Sequence, residues 1–263
     1  MISVQIYPST SELLEHLAPA TVEIARASVE QNGLFAFALA GGSTPEGFYR
    51  VLSQGVWKER FPWRETVFFW SDERAVGPES PESNYRLAMG AMLSAAPVSP
   101  VHVIRMRGEA TDLEQAAAEY ESEVVAVLGG RNLKFDLVLL GMGEDGHTAS
   151  LFPGSAAVAE EHKLVVANRV ESLNANRLTF TFPLINRARN IFVLVTGERK
   201  AGIVKQVFSG TGNFPVQKLR SADGQLTWWM DRAAAAPLTK QDIDEYIERY
   251  RAGLVVRESQ NQR

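Results

Sequence analysis

The stretch F-D-L-V-L-L-G-M-G-E-D-G-H-T-A-S-L-F-P-G-S, residues 135–155, decides the fold. Five of its first six residues are apolar (Phe135 and Leu137 to Leu140), with one acid at Asp136. A near-continuous apolar run of this length is the pattern of a parallel strand buried on both faces. The run ends in Gly141 and Gly143, and Asp145, Gly146 and His147 follow at once. A buried strand that stops in glycines and then delivers an acid and an imidazole sets reactive groups at the carboxyl edge of a sheet. Open α/β folds bind their ligands at that edge.

Other segments repeat the pattern on either side. Leu34 to Ala40 is an apolar strand followed by Gly41-Gly42-Ser43-Thr44-Pro45 and a helix to about Leu52. Glycines there let backbone amides approach an anion, the hydroxyls donate, and a helix N-terminus adds favourable potential. The same residues also suit a tight turn with Ser43 or Thr44 as N-cap, and the sequence leaves both readings open. Thr66 to Trp70 is a strand ending in Ser71-Asp72-Glu73-Arg74, and Asn84 to Leu93 reads as a helix. Three successive strands ending in polar clusters point to one shared site. Ile191 to Thr196 is a strand, and Gly197-Glu198-Arg199-Lys200 opens a helix to about Phe208. A cation in a first helical turn opposes the macrodipole unless an anion binds there, so Lys200 is either a ligand contact or a solvated lysine.

The remaining segments complete the alternation. Ser3 to Tyr7, Val101 to Met106, Lys163 to Val170, Arg177 to Phe182 and Gln225 to Met230 read as strands. Ser11 to Gln31, with Pro19 kinking or dividing it, Asp112 to Leu128 capped by Gly129-Gly130, and Thr239 to Arg251 read as helices. Ala233 to Ala236 carries no signal. No repeat or linker divides the chain, so the expectation is one α/β domain over 1–256, with a small sub-sheet from 163 to 182 and a frayed tail at 257–263.

The chain has 263 residues, 45% of them hydrophobic and 22% charged, enough for a buried core. A net charge of −4 suggests no nucleic-acid partner and no anionic-membrane surface, so a phosphorylated ligand must be held by local basic residues. The absence of cysteine excludes disulfides, thiolate catalysis and Cys-ligated zinc. Neither a signal peptide nor a membrane span is visible, so a cytoplasmic protein is expected. Gly141, Gly143 and Gly146 match G-x-G-x-x-G, but Pro153-Gly154 interrupts the long helix that a dinucleotide fingerprint requires. The four histidines lack metal-ligand spacing, and no G-x-S-x-G elbow is present. What remains is an Asp–His pair on one turn, which supplies a base near neutral pH.

Together L-A-G-G-S-T-P (39–45), W-S-D-E-R (70–74), P-E-S-N-Y (81–85) and G-M-G-E-D-G-H-T-A-S-L-F-P (141–153) resemble the 6-phosphogluconolactonase family. N-R-L-T-F-T-F-P-L-I-N (176–186) and T-G-E-R-K (196–200) complete the likeness, in the family's order over nearly the whole chain. The wider group includes glucosamine-6-phosphate isomerase/deaminase. That branch carries a glutamate shortly after D-G-H and Asp-Glu-Tyr in the earlier block, where this chain has Phe152 and Asp72-Glu73-Arg74. The resemblance implies a three-layer α/β/α sandwich with a mostly parallel, Rossmann-like central sheet and a small accessory sub-sheet. It implies hydrolysis of 6-phospho-D-glucono-1,5-lactone with no metal or cofactor, His147 as general base and Asp145 orienting it. Gly41, Gly42, Ser43, Thr44, Arg177 and Lys200 are then expected to bind the substrate, chiefly its phosphate. Arg74 is expected at the lactone or its oxyanion, and Asp72 on substrate hydroxyls or paired with Arg74. The partner is a small sugar-phosphate lactone, and a monomer is the expectation. The competing readings are the deaminase and a non-catalytic sugar-phosphate sensor.

Overall fold

A computed structural model describes residues 1–221 and 224–261. In chain order the elements are β1 (Ile2–Tyr7), α1 (Thr10–Asn32), β2 (Phe35–Leu39), α2 (Ser43–Leu52), α3 (Gly55–Arg60), β3 (Thr66–Trp70), β4 (Asp72–Arg74), α4 (Asn84–Ala91) and α5 (Leu113–Leu128). There follow β5 (Leu137–Gly141), β6 (Val165–Val170), β7 (Ala175–Phe180), α6 (Phe182–Ile185), β8 (Asn190–Val195), α7 (Ala201–Ser209), β9 (Gln225–Asp231), α8 (Arg232–Ala235) and α9 (Lys240–Asn261).

Six strands form the main sheet in the order β1-β9-β8-β5-β2-β3, with every neighbouring pair parallel. Side-chain alternation along each strand divides the core in two. Leu137 and Leu139 face the layer holding α1, α2 and α4, whereas Val138 and Leu140 face the layer holding α5, α7 and α9. Both faces are therefore covered, which is why these strands read as continuous apolar runs. The chain moves outward from β2 to β3 on one side and returns to β5 on the other. A crevice opens at such a switch point, between the carboxyl ends of β2 and β5.

The second sheet is antiparallel, in the order β4-β7-β6. Its first strand continues β3 after one residue. Ser71 makes the transfer: its N–H and hydroxyl both donate to the Leu39 carbonyl, at 2.8 and 3.0 Å, and its own carbonyl accepts from the Phe180 N–H at 2.8 Å. The sub-sheet thus includes Asp72 to Arg74, beyond the expected span of 163 to 182.

Several local expectations change. Val101 to Met106 is not a strand: it makes a single bridge, Phe68 to Val103, after a 3-10 turn at Pro100–His102. The Tyr120 hydroxyl accepts the Trp70 N–H at 2.8 Å and lies 3.2 Å from the carbonyls of Trp70 and Ile104. That side chain occupies the backbone groups a seventh strand would pair with. Pro19 does not divide α1, a single helix capped by the Ser9 side chain and closed by Gly33 at φ 75°. Helix α5 ends at Leu128 with Gly129 as its C-cap, as expected, but Gly129 stays right-handed and the left-handed residues are Asn132 and Leu133, both with φ 56°. The alanine run forms the short α8, and α9 continues past Arg251 to Asn261. Residues 262–263 of the expected tail lie outside the described residues. Among the described residues no helix is long and apolar enough to cross a membrane.

Candidate active site

The carboxyl ends of β2, β5 and β8, with the cleft-facing side of β4 and β7, enclose a cleft of two adjoining lobes. The larger, about 520 Å³, is lined by Gly41, Gly42, Asp72, Arg74, Asp145, His147, Arg177 and Lys200 among others. The smaller, about 350 Å³, holds Ser43 and Thr44 and shares Gly41, Gly42 and Lys200 with the first. All ten residues singled out in the sequence therefore meet in one depression.

The turn after β5 builds the reactive pair. Gly146, at φ 76°, reverses the chain, and its N–H donates to the Gly143 carbonyl at 3.1 Å. The Gly143 N–H in turn donates to the His147 carbonyl at 2.9 Å. Inside this turn His147 Nδ1 lies 2.6 Å from Asp145 Oδ1, which also accepts the His147 N–H at 3.1 Å. A carboxylate only accepts, so the proton of the neutral ring is held on Nδ1 and the lone pair is left on Nε2. The ring stacks on Phe152, centroids 4.0 Å apart and planes 24° from parallel. The His147 side chain stays 29% exposed, enough to meet a ligand in the cleft. Gly143 has no room for a side chain, because a Cβ would stand 2.0 Å from His147 Nδ1.

The turn after β2 is held from both sides. The Tyr49 hydroxyl accepts the Ala40 N–H at 2.9 Å and donates to the Ala40 carbonyl at 2.7 Å. Gly41 packs on Asn84, where a Cβ would lie 1.8 Å from Oδ1. The N-cap of α2 is Gly42, at φ 105° and with no side-chain cap bond, so neither Ser43 nor Thr44 caps the helix. Thr44 Oγ1 instead pairs with Thr196 Oγ1 at 2.6 Å, joining this turn to the one after β8.

The β4–β7 pair supplies the opposite wall. Asp72 and Arg74 point to one side of the sub-sheet, paired in register with Thr179 and Arg177. Asp72 is buried and accepts from the Ser150 hydroxyl at 2.7 Å and from the Asn84 side-chain amide at 3.4 Å. Of the two roles expected of Asp72, the pairing with Arg74 is not formed. Arg74 Nη1 donates to the Glu82 carbonyl at 2.6 Å, a bond that draws the guanidinium toward the loop before α4. Burial holds Arg177 below the usual arginine value, with the Arg74 charge adding to the effect. Two guanidiniums side by side on paired strands invite an anion. Burial likewise lowers Lys200, which among the described residues has no ion-pair partner.

Sequence reasoning overlooked Glu73, between the two cleft residues of β4. Its buried carboxylate takes the N–H groups of Arg74, Asn84 and Tyr85, each at 2.8 Å, and the Ser83 hydroxyl at 2.9 Å. Burial raises its pKa despite these donors. It ties the start of α4, and with it Asn84, to the strand that carries Arg74. A carboxylate reaching the start of a helix from ten residues upstream has no local signature in the sequence. Phe214, which packs on Gly146 and leaves no room for a Cβ there, was overlooked for the same reason.

Comparisons with known proteins identify the family. The family model described as glucosamine-6-phosphate isomerases/6-phosphogluconolactonase matches residues 8–228. A probable 6-phosphogluconolactonase 2 of Oryza sativa subsp. indica is 32% identical over 260 residues, covering 92% of each chain. The solved 6-phosphogluconolactonase of Trypanosoma cruzi superposes with a TM-score of 0.80 at 31% identity, over 91% of this chain and 97% of that one. A monomeric glucosamine-6-phosphate deaminase also superposes, with a TM-score of 0.73 at 25% identity, over 89% and 99% of the two chains. The fold, the ordered motifs and the matched length agree: this chain belongs to the glucosamine-6-phosphate isomerase/6-phosphogluconolactonase family.

Proposed function

We propose that the protein hydrolyses 6-phospho-D-glucono-1,5-lactone to 6-phospho-D-gluconate, the second step of the oxidative pentose phosphate pathway. The observation that carries this reading is the Asp145–His147 pair, 2.6 Å apart in a cleft that also holds Arg74, Arg177 and Lys200. The Nε2 lone pair of His147 takes a proton from a water molecule, and the resulting hydroxide adds to C1 of the lactone. Collapse of the tetrahedral intermediate breaks the bond from C1 to the ring oxygen, and the imidazolium returns its proton to that oxygen. Asp145 holds the ring in the tautomer this requires.

Gly41 to Thr44, Arg177 and Lys200 grip the phosphate, so that binding energy from the far end of the sugar orients C1 against His147. Arg74 faces the charge that develops on the carbonyl oxygen, and Asp72, fixed by Ser150 and Asn84, receives sugar hydroxyls. The reading extends to a cytoplasmic monomer working as one α/β domain over 1–256, without metal or cofactor.

Two observations favour the lactonase over the deaminase. Phe152, stacked on the imidazole, stands where that branch carries its ring-opening acid. Arg74 stands where it carries a tyrosine. Release of acid from freshly prepared lactone, above the enzyme-free rate, tests the proposal. Ammonia release from glucosamine 6-phosphate supports the deaminase instead, and binding without turnover supports a sensor.

A further inference from the structure

Asp231 ends β9, next to β8 in the sheet, and is buried. It lines neither lobe of the cleft. Its carboxylate nevertheless holds the turn that carries Lys200. The Gly197 N–H donates to both carboxylate oxygens, at 3.0 and 3.1 Å, and the Gly197 carbonyl accepts the Lys200 N–H at 3.1 Å. Gly197 has φ 90°, a conformation that glycine adopts without strain, so the orientation of this peptide is a built feature. Two more donors fix the carboxylate itself: the Ala234 N–H and the Thr10 hydroxyl, each at 2.8 Å. Filled lone pairs make a buried carboxylate a rigid anchor. On its other side the same turn is tied to the Gly41–Thr44 turn through Thr196 and Thr44.

We propose that Asp231 is a positioning residue for phosphate recognition. It fixes the Gly197 peptide, and through it sets the Lys200 ammonium group against the glycine turn after β2. The inference rests on reading Gly41 to Thr44 and Lys200 as the phosphate grip. Its sign separates geometry from charge. A carboxylate at this sheet edge repels an anion, so a residue acting only by its charge weakens phosphate binding, and its removal tightens it. A residue acting by geometry has the opposite effect.

The test compares kcat and KM for 6-phosphogluconolactone and for unphosphorylated gluconolactone, with the enzyme-free rate subtracted. Asp231→Ala should raise KM for the phosphorylated lactone about tenfold and leave kcat within about twofold, the signature of lost ground-state binding. KM for the unphosphorylated lactone should not change. Asp231→Asn should stay within about twofold of wild type, because its amide oxygen still accepts both backbone N–H groups while its NH2 donates to Thr10. In a Lys200→Met background, Asp231→Ala should add less than about twofold.

A parallel rise in KM for both lactones, an equal rise in the Lys200→Met background, or tighter binding in Asp231→Ala would each overturn the positioning role. An unchanged KM in Lys200→Met overturns the phosphate reading and this role with it. A raised KM there alongside a wild-type KM in Asp231→Ala overturns the positioning role alone. Should Asp231→Ala fail to fold, Gly197→Ala carries the test, since its Cβ meets nothing within 4 Å and the strain falls on the turn. The same selective rise in KM supports the role, and a wild-type KM overturns it.

Discussion

A methyl group at Gly143 is expected to disable the Asp145–His147 pair without removing either side chain. An ideal Cβ there stands 2.0 Å from His147 Nδ1, 2.2 Å from Cε1 and 2.5 Å from Asp145 Oδ1. Ordinary contact begins at 3.4 Å, so the imidazole must retreat by roughly 1.4 Å or break its bond to the carboxylate. Gly143 does not have a positive φ, so the backbone accepts alanine and the strain falls on the side chains. Misplacing a reacting group by about 1 Å costs on the order of 10²-fold in rate. That corresponds to about 2.7 kcal/mol of lost transition-state stabilisation. In an acid-release assay on fresh lactone, Gly143→Ala should show kcat lowered about 100-fold, with the affinity for 6-phosphogluconate within about threefold of wild type. The product affinity should persist because Arg177 and Lys200 are untouched. A folded Gly143→Ala enzyme with wild-type kcat would refute the claim that this contact holds the base in register.

Other substitutions test the remaining parts. Lys200→Met removes a charged donor worth about 1.5–3 kcal/mol, so KM for the phosphorylated lactone should rise about ten- to a hundredfold in steady-state kinetics. Because burial lowers Lys200, its ammonium form is lost at a lower pH than an ordinary lysine's. KM should therefore climb as pH rises through that lowered value in wild type and stay flat in Lys200→Arg; the same climb in both would contradict the assignment. Glu73→Gln leaves at least one buried N–H without an acceptor, which should lower stability by about 1–3 kcal/mol in urea unfolding at neutral pH. The raised pKa of Glu73 means that the native state binds more protons than the unfolded state just above the ordinary glutamate value of 4.5. Wild-type stability should then fall as pH rises through that window, and the fall should be weaker in Glu73→Gln.

The sequence made the central sheet legible because its strands are buried on both faces. Phe35 to Leu39, Thr66 to Trp70 and Leu137 to Leu140 are continuous runs that no amphipathic helix would show. Apart from Arg177, which rested on the family resemblance alone, the residues of the candidate site were legible because each follows such a run at the same sheet edge. The β4 strand was not legible: three charged residues in a row read as loop, and only pairing with β7 makes them a strand. Val101 to Met106 carried the opposite error, since its strand-like pattern could not show that Tyr120 already fills the backbone of Trp70. Glu73, Asp231 and Phe214 act on partners 10 or more residues away or across the sheet, and spacing along the chain carries no trace of such contacts. The ten candidate residues lay within local motifs, whereas Asp231 and Phe214, which hold those motifs in place, did not.

His147→Ala puts the base most directly to the test, with kcat on 6-phosphogluconolactone and affinity for 6-phosphogluconate measured on the same preparation. Loss of a general base typically lowers the rate about 10²–10⁴-fold, and the expected result is a fall of that size with product binding unchanged. Turnover at the wild-type rate, above the enzyme-free background, would contradict the role of His147 as the base.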